Sequence, residues 1–296
     1  MIKVLFISNQ TIAGRTLANQ IGREFQVDTV DFGQATEADD YAAIVCDLEV
    51  DTEKCSEEVA RLRAVCSYRD VSIMVAASDG MVREARKMAH VGASGILRKP
   101  FCVSRTLAEL KRNLRPVGVR TEIKLETVEP FIDGTVDVIK KMTDQDVTRQ
   151  DLYLKRSYYM SGDISGVMRL SGDTEGVVAI AFRKDLASSL VARMVSCDES
   201  ELSIDDIMDG IGEIINIISG TARTALSENG SSFDISLPAV VTGYGHQIVH
   251  KKEQPLIVVV FDCDGCPFVV ELCVSSATPK QSGSKESEAI KDAVPC

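Results

Sequence analysis

The sequence has no tryptophan, and aromatic residues make up only 5% of it. Its cores must therefore rest on Ile, Val, Leu, Met and Ala, and a hydrophobic content of 45% is enough for this. Basic runs are also missing. With 44 Asp and Glu against 33 Lys and Arg, the formal charge is -11. Binding to a nucleic-acid backbone needs clustered Lys and Arg, so no nucleic-acid partner is expected. No stretch is apolar for the length that spans a bilayer. The opening MIKVLFISNQ lacks the small-residue cleavage site of a secretory signal. No membrane partner is expected either.

Cysteine is present but unpaired in pattern. Nine are scattered through 296 residues, an odd number in a chain large enough to fold without staples. The composition points to a reduced, cytoplasmic protein. The one close pair is Cys263-Asp264-Gly265-Cys266. Zinc asks for four ligands and no second pair exists, so no metal site is expected. LIVVVFDC and CPFVVELCV instead read as two strands joined by a two-residue Asp-Gly turn. His246 and His250 flank Ile248 at two positions either side. Two ligands do not make a site, and both are expected at the surface. There is no phosphate loop and no nucleophile cluster, so no cofactor of its own is expected.

Two patterns divide the length. Residues 1–115 alternate short apolar strands (KVLFIS, YAAIVCD, SIMVAAS, GILRKPF) with helically spaced segments (TIAGRTLANQIGREF, SEEVARLRAVCSY, MVREARKMAHVG, SRTLAELKRNLR). That alternation predicts an α/β doubly wound domain with a parallel sheet. Residues 116–121 read as a linker. From 122 to 276 strands follow one another directly. VEPFIDGTVDVIKKM reads as a helix with Pro130 near its first turn, KDLASSLVARMV as a second helix, and about 204–228 as a long third. This predicts an α+β domain with a mostly antiparallel sheet, able to fold alone. The polar, Ser- and Lys-rich segment 277–296 is expected to be disordered.

In the first half, Asp47 ends the run YAAIVCD, and GASGILRKPF (residues 92–101) carries a turn, a strand and then Lys99-Pro100. This stretch resembles two-component receiver domains, and the resemblance covers about residues 1–115. It implies that Asp47 stands at the phospho-acceptor position and Lys99 at its partner lysine. The rest of the chemistry is missing. A carboxylate attacking a phosphoryl group needs Mg²⁺ held by an acidic pair. The first strand here ends Ile7-Ser8-Asn9, with neither acid. Ala76 or Ala77, with Ser78 displaced, stands where a hydroxyl is expected, and Ile96 replaces an aromatic. These losses favour Asp47 as an ion-pair partner of Lys99, in a degenerate receiver that serves docking or dimerisation.

The second half carries its signal on one helix. Ser203 and Asp206 form a capping-box pattern, and Asn229-Gly230 supplies a stop. Ile207, Ile211, Ile214, Ile215, Ile218, Ala222 and Ala225 share one face, the predicted core. Asp209, Glu213, Asn216 and Gly220 share the other, with Gly212 beside them. Glycines inside a helix cost about 1 kcal/mol each relative to alanine, and close approach of another protein surface would justify them. The spacing D-x-x-x-E-x-x-N, then S-G-x-A, with Pro238 twenty-two residues past Asn216, resembles the signature helix of the CheC/CheX/FliY phosphatases. VEPFIDGTVDVIKKM also resembles the first helix of CheX, in lacking a second E-x-x-N. The resemblance covers about residues 122–275 and implies a sheet carrying two long helices, and a homodimer.

That resemblance implies a phosphatase acting in trans on the aspartyl phosphate of a CheY-like response regulator. Glu213 would engage the partner's lysine and Asn216 would aim the attacking water, with Asp209 and Gly220 in support. Mg²⁺ would come with the partner. The alternative is a non-catalytic two-component adaptor, or a binding module regulated by its receiver.

Overall fold

The computed structural model describes residues 1–34, 41–49, 51–64, 71–114, 125–155, 162–243, 246 and 256–276. Its first sheet consists of β1 (Ile2–Ile7), β2 (Phe25–Val30), β3 (Ala43–Asp47), β4 (Ser72–Ala77) and β5 (Gly95–Arg98), all parallel, in the order β2-β1-β3-β4-β5. β3 and β4 are buried along their whole length, as strands covered on both faces must be. Alternate side chains face opposite ways. Ile44, Ile73 and Val75 meet Val59 and Leu62 of α2 (Thr52–Ala64) and Ala85 of α3 (Val82–Lys87). Val45, Met74 and Ala76 meet Leu17 of α1 (Thr11–Ile21) and Leu110 of α4 (Val103–Asn113). The expected doubly wound architecture is present. Its strand order reverses between β1 and β3, and such folds hold ligands at the C-terminal ends of the strands on either side of that reversal. Ser8 and Asp47 lie there.

The sequence reading missed one strand. It ran the first helix through Phe25, whereas α1 stops at Ile21 and Phe25–Val30 is β2. β2 is an edge strand with Gln26, Asp28 and Thr29 among its six residues, so it lacks the unbroken apolar run of its buried neighbours. The helix MVREARKMAHVG also divides, into α3 and a 3₁₀ turn Met88–Val91 closed by Gly92 at φ +109°.

The second sheet is antiparallel. β6 (Val147–Lys155), β7 (Ile164–Gly172), β8 (Thr174–Phe182), β10 (Ala239–Thr242), β11 (Leu256–Cys263) and β12 (Cys266–Ser276) run in the order β10-β7-β8-β12-β11-β6, and β9 (Phe233–Ile235) also pairs with β7. Three helices cover its inner face: α5 (Leu125–Thr143), α6 (Lys184–Val195) and α7 (Ile204–Glu228). Phe268 sits at the centre of the core, 4.9 Å from Phe182 and 5.2 Å from Phe261 between ring centroids. Pro130 lies inside α5 and not in its first turn, because the helix already runs from Leu125. The proposed linker and tail, residues 116–121 and 277–296, lie outside the described residues.

The outer face of this sheet is not bare. Tyr153, Ala179, Ala181, Val258, Val260 and Val269 form a buried apolar cluster there. The Tyr153 hydroxyl donates to the Ala89 carbonyl at 2.8 Å, and the Arg63 guanidinium stacks 4.8 Å from the Tyr153 ring centre. Lys155 and Glu271, both almost fully buried, pair at 2.5 Å. The receiver-like half therefore closes a face that the second half alone would leave to solvent.

Candidate active site

α7 begins as expected. The Asp206 amide donates to the Ser203 hydroxyl at 3.2 Å, and the Ser203 amide donates back to the Asp206 carboxylate at 2.9 Å. The Ser203 hydroxyl also bonds the Asp206 carboxylate at 2.6 Å, and this contact first, then the Ser203 amide, holds the Asp206 carboxyl below its ordinary pKa. Ile207, Ile211, Ile214, Ile215, Ile218 and Ala222 are buried against the sheet, and Ala225 is only half-buried. The helix lies close against its neighbours. A Cβ on Gly210 would come within 2.5 Å of Val191 in α6, so only glycine fits that contact. Sequence reasoning gave Gly210 no role.

The opposite face presents the predicted residues. Asp209 and Glu213 are exposed, and Asn216 and Gly220 are half-buried. Offsets of four, three and four keep these residues adjacent on one side of the helix. Glu213 and Asn216 have no side-chain hydrogen bond or ion pair with any other described residue. A carboxylate and an amide thus stand ready to bond something from outside. Nothing lies within 4 Å of where a Gly220 side chain would begin, so the surface beside Asn216 is open to close approach. Gly212 needs a different explanation from the one expected. It is buried under the protein's own chain, with a Cβ there lying 3.5 Å from Val240 and 3.9 Å from Pro238. Pro238, distant in sequence, is thereby brought to α7 about one turn from Asn216. The adjoining Leu237 is 88% exposed, an apolar side chain on the rim of this face that sequence reasoning passed over. Bonds from Ser236 to the β7 backbone hold its loop in place: the Ser236 amide donates to the Arg169 carbonyl, and the Arg169 amide donates to the Ser236 hydroxyl.

The receiver-like site is arranged the other way. Asp47 is fully buried, and each of its oxygens is occupied. Lys99 Nζ lies 2.6 Å from one, and the Ser8 hydroxyl donates to the other at 3.1 Å. Glu49, which sequence reasoning did not single out, adds a second carboxylate. It accepts from Lys99 at 3.0 Å and from the Ser78 amide at 2.9 Å. Its pKa is lowered chiefly by the bond to Ser78, with Lys99 adding to the effect. Glu49 therefore takes the lysine and the end of β4, the anchors that a receiver's phosphoryl group would use. Asn9 accepts from the Phe32 amide at 3.2 Å. These residues do not fit Mg²⁺, which needs several free oxygen ligands in octahedral array.

The other candidates resolve simply. Cys263 faces Cys266 across a hairpin, and Asp264 and Gly265 turn it with φ of 51° and 78°. Burial pushes the Cys263 thiol up to about 11, which keeps it protonated and a poor metal ligand. His246 is anchored and not free at the surface, with ring nitrogens 2.7 Å from the Ser165 hydroxyl and 2.9 Å from the Gly243 carbonyl. His250 lies outside the described residues. Among the described residues, no helix is long and apolar enough to cross a membrane.

Comparison with known proteins bears on the same helix. Residues 164–262 match the family described as chemotaxis phosphatase CheX, a span that contains Asp209, Glu213, Asn216 and Pro238. A chemotaxis protein CheX from Desulfovibrio desulfuricans is 33% identical, over 51% of this chain and 99% of that one, with a TM-score of 0.47. CheX from Vibrio vulnificus is 31% identical, over 51% and 99%, with a TM-score of 0.46. A CheX from Borrelia burgdorferi, crystallised in complex with CheY, BeF3 and Mg²⁺, is 24% identical, over 50% and 97%, with a TM-score of 0.43. No curated protein sequence matches the chain. The C-terminal half thus carries a CheX-family domain, matched over residues 164–262 around α7.

Proposed function

We propose that this protein hydrolyses the aspartyl phosphate of a separate CheY-like response regulator, with Asn216 placing the attacking water and Glu213 holding the partner. The observation that carries this reading is the outward face of α7, where Glu213 and Asn216 project without a partner among the described residues, beside the open surface at Gly220. An aspartyl phosphate is already an activated acyl phosphate. Its hydrolysis passes through a loose transition state in which positioning and charge stabilisation do most of the catalysis. No strong base is required. A neutral amide can accept a hydrogen bond from water with its oxygen and anchor itself with its nitrogen, so Asn216 can hold a water in line with the breaking P–O bond. Glu213, one helical turn away, can pair with a lysine on the regulator and fix the approach. Asp209 and Leu237 flank this contact with one charged and one apolar group. The regulator supplies both the phosphoryl group and the Mg²⁺ that neutralises its oxygens.

The fused receiver-like half is not the substrate in this reading, because Lys99, Ser8 and Glu49 fill its Asp47 site. The reaction is therefore directed at a second protein. The test is to phosphorylate a CheY-like regulator, remove the phosphodonor, and follow the decay with this protein present in substoichiometric amount. The expected result is a faster first-order decay in which each molecule turns over many regulators. A decay rate unchanged by the protein would overturn the reading.

A further inference from the structure

α7 carries five acids, Asp205, Asp206, Asp209, Glu213 and Glu228, and a single base, Arg223. Arg223 is exposed, and it makes no hydrogen bond or ion pair with any other described residue. Local effects do not account for it. A base three or four positions from an acid gains a pair on the helix surface, but those positions here are Ser219, Gly220, Leu226 and Ser227. A base placed for the helix dipole belongs in the last turn, and the last turn of α7 has none. Acids outnumber bases by 11 in this chain, yet no described acid meets this guanidinium.

Its position on the helix supplies a reason. Seven residues make nearly two turns, so Arg223 shares the face of Asn216 and lies about 10 Å further along the axis. Helical side chains lean toward the N-terminus and cover the turn before their own Cα. That lean directs Arg223 back toward Gly220. Nothing lies within 4 Å of where a Gly220 side chain would begin. The Gly220 carbonyl, which would repel an anion, already accepts from the Thr224 hydroxyl at 3.1 Å. Between the Asn216 amide and the Arg223 guanidinium there is thus an open floor that a small anion can occupy.

The chemistry of the proposed reaction calls for a cation at that place. Asp209 and Glu213 by themselves repel an aspartyl phosphate. Once Glu213 pairs with the regulator's lysine, it also draws that ammonium away from the phosphoryl oxygens. We propose that the regulator's phosphoryl group lies over Gly220, and that Arg223 bonds its oxygens while Asn216 holds the water. This inference rests on the phosphatase reading and adds a catalytic residue to it. The water oxygen adds to phosphorus. The bond from phosphorus to the aspartyl oxygen breaks, its electron pair leaves on the regulator's carboxylate, and both water protons depart with the product as dihydrogen phosphate. The loose transition state spreads charge over three equatorial oxygens. A guanidinium matches such oxygens two at a time.

The experiment measures decay of a phosphorylated CheY-like regulator, freed of phosphodonor, over a range of regulator concentrations. The full chain is compared with Arg223→Gln and Arg223→Glu. Both are changes at an exposed position, so the fold is spared. Arg223→Gln should lower kcat by about tenfold or more, the loss of one charged contact to the transition state, and leave affinity for the unphosphorylated regulator within about twofold. Arg223→Glu should lose more activity than Arg223→Gln, because it reverses the charge. Parent kcat in Arg223→Gln would overturn the proposal. Equal losses in the two variants would also overturn it, since charge would then not be at work. So would a loss confined to KM with weaker binding of the unphosphorylated regulator, which would assign Arg223 to docking on a regulator carboxylate. A parent protein that does not accelerate decay at all would instead overturn the phosphatase reading, and this proposal with it.

Discussion

The molecule carries a carboxylate at each of its two candidate sites, and they are treated in opposite ways. Asp47 is buried, clamped by Lys99 at 2.6 Å and bonded by Ser8, with Glu49 occupying the neighbouring anchors. Glu213 stands on an exposed helix face, with Asn216 one turn away and no partner for either among the described residues. A site whose polar groups satisfy one another has nothing left to offer a substrate. A site whose groups are held in place by packing beneath them, but left unbonded above, is poised to act on something that arrives. The same contrast extends to whole surfaces. The receiver-like half spends part of its surface covering the outer face of the second sheet, while α7 turns its polar face outward.

The largest effect that could break this comparison is covalent labelling of Asp47. Incubating the full chain with acetyl phosphate and Mg²⁺ should leave Asp47 unmodified, as read by intact mass and by loss of label in Asp47→Asn. Stoichiometric Mg²⁺-dependent labelling would show that the closed site opens. The next effect concerns the covered sheet face. Glu271→Leu removes the carboxylate that pairs with the buried Lys155 ammonium and should cost about 3–5 kcal/mol in urea unfolding, whereas the double change Lys155→Met/Glu271→Leu should recover most of that loss. If the single variant is as stable as the parent, the face is not sealed. Glu213→Ala should then lower phosphatase turnover by about 10–100-fold, with part of the loss in affinity for the regulator, because a desolvated ion pair across an interface is worth a few kcal/mol. Unchanged affinity, measured by titration against a regulator carrying a beryllofluoride mimic, would remove Glu213 from the docking role.

Smaller effects sharpen the picture of the junction. Tyr153→Phe removes the donor to the Ala89 carbonyl and should cost about 1 kcal/mol. Acid should loosen the same region. The folded pKa of His90, about 4, lies below its ordinary value of 6.5. The unfolded chain therefore binds the proton first, and stability present above pH 6.5 is lost as pH falls toward 4. His90→Gln should flatten that part of the stability profile. An unchanged profile would mean that His90 is not held neutral by burial. Isolating residues 122–276 would expose Tyr153, Val258, Val260 and Val269. The fragment is expected to self-associate in chromatography, and a monodisperse, stable monomer would show that the cover is dispensable.

Much of this was legible in the sequence because it depends on local pattern. The βα alternation, the isoleucine face of α7, its capping box and the Asp264-Gly265 turn are all set within a few residues, and each is found as expected. What was missed depends on contacts between distant segments. β2 escaped because an edge strand with Asp28 and Thr29 has no apolar run. Glu49 has no meaning until β3 and β4 lie side by side and bring Ser78 to it. Tyr153 reads as one more strand residue, yet its partner Ala89 is 64 positions earlier. Gly212 looked reserved for a partner protein because nothing local announces that Pro238 and Val240 pack over it.

The central claim, that the reacting surface is α7 and not the receiver-like site, is tested most directly by one comparison of decay rates. A phosphorylated CheY-like regulator, freed of phosphodonor, is followed with the parent protein, with Asn216→Ala and with Asp47→Asn. The account predicts that Asn216→Ala loses the acceleration by about 100-fold or more, the scale of a lost transition-state contact, and still binds the regulator, while Asp47→Asn matches the parent. Full activity in Asn216→Ala, or its loss in Asp47→Asn, would contradict it.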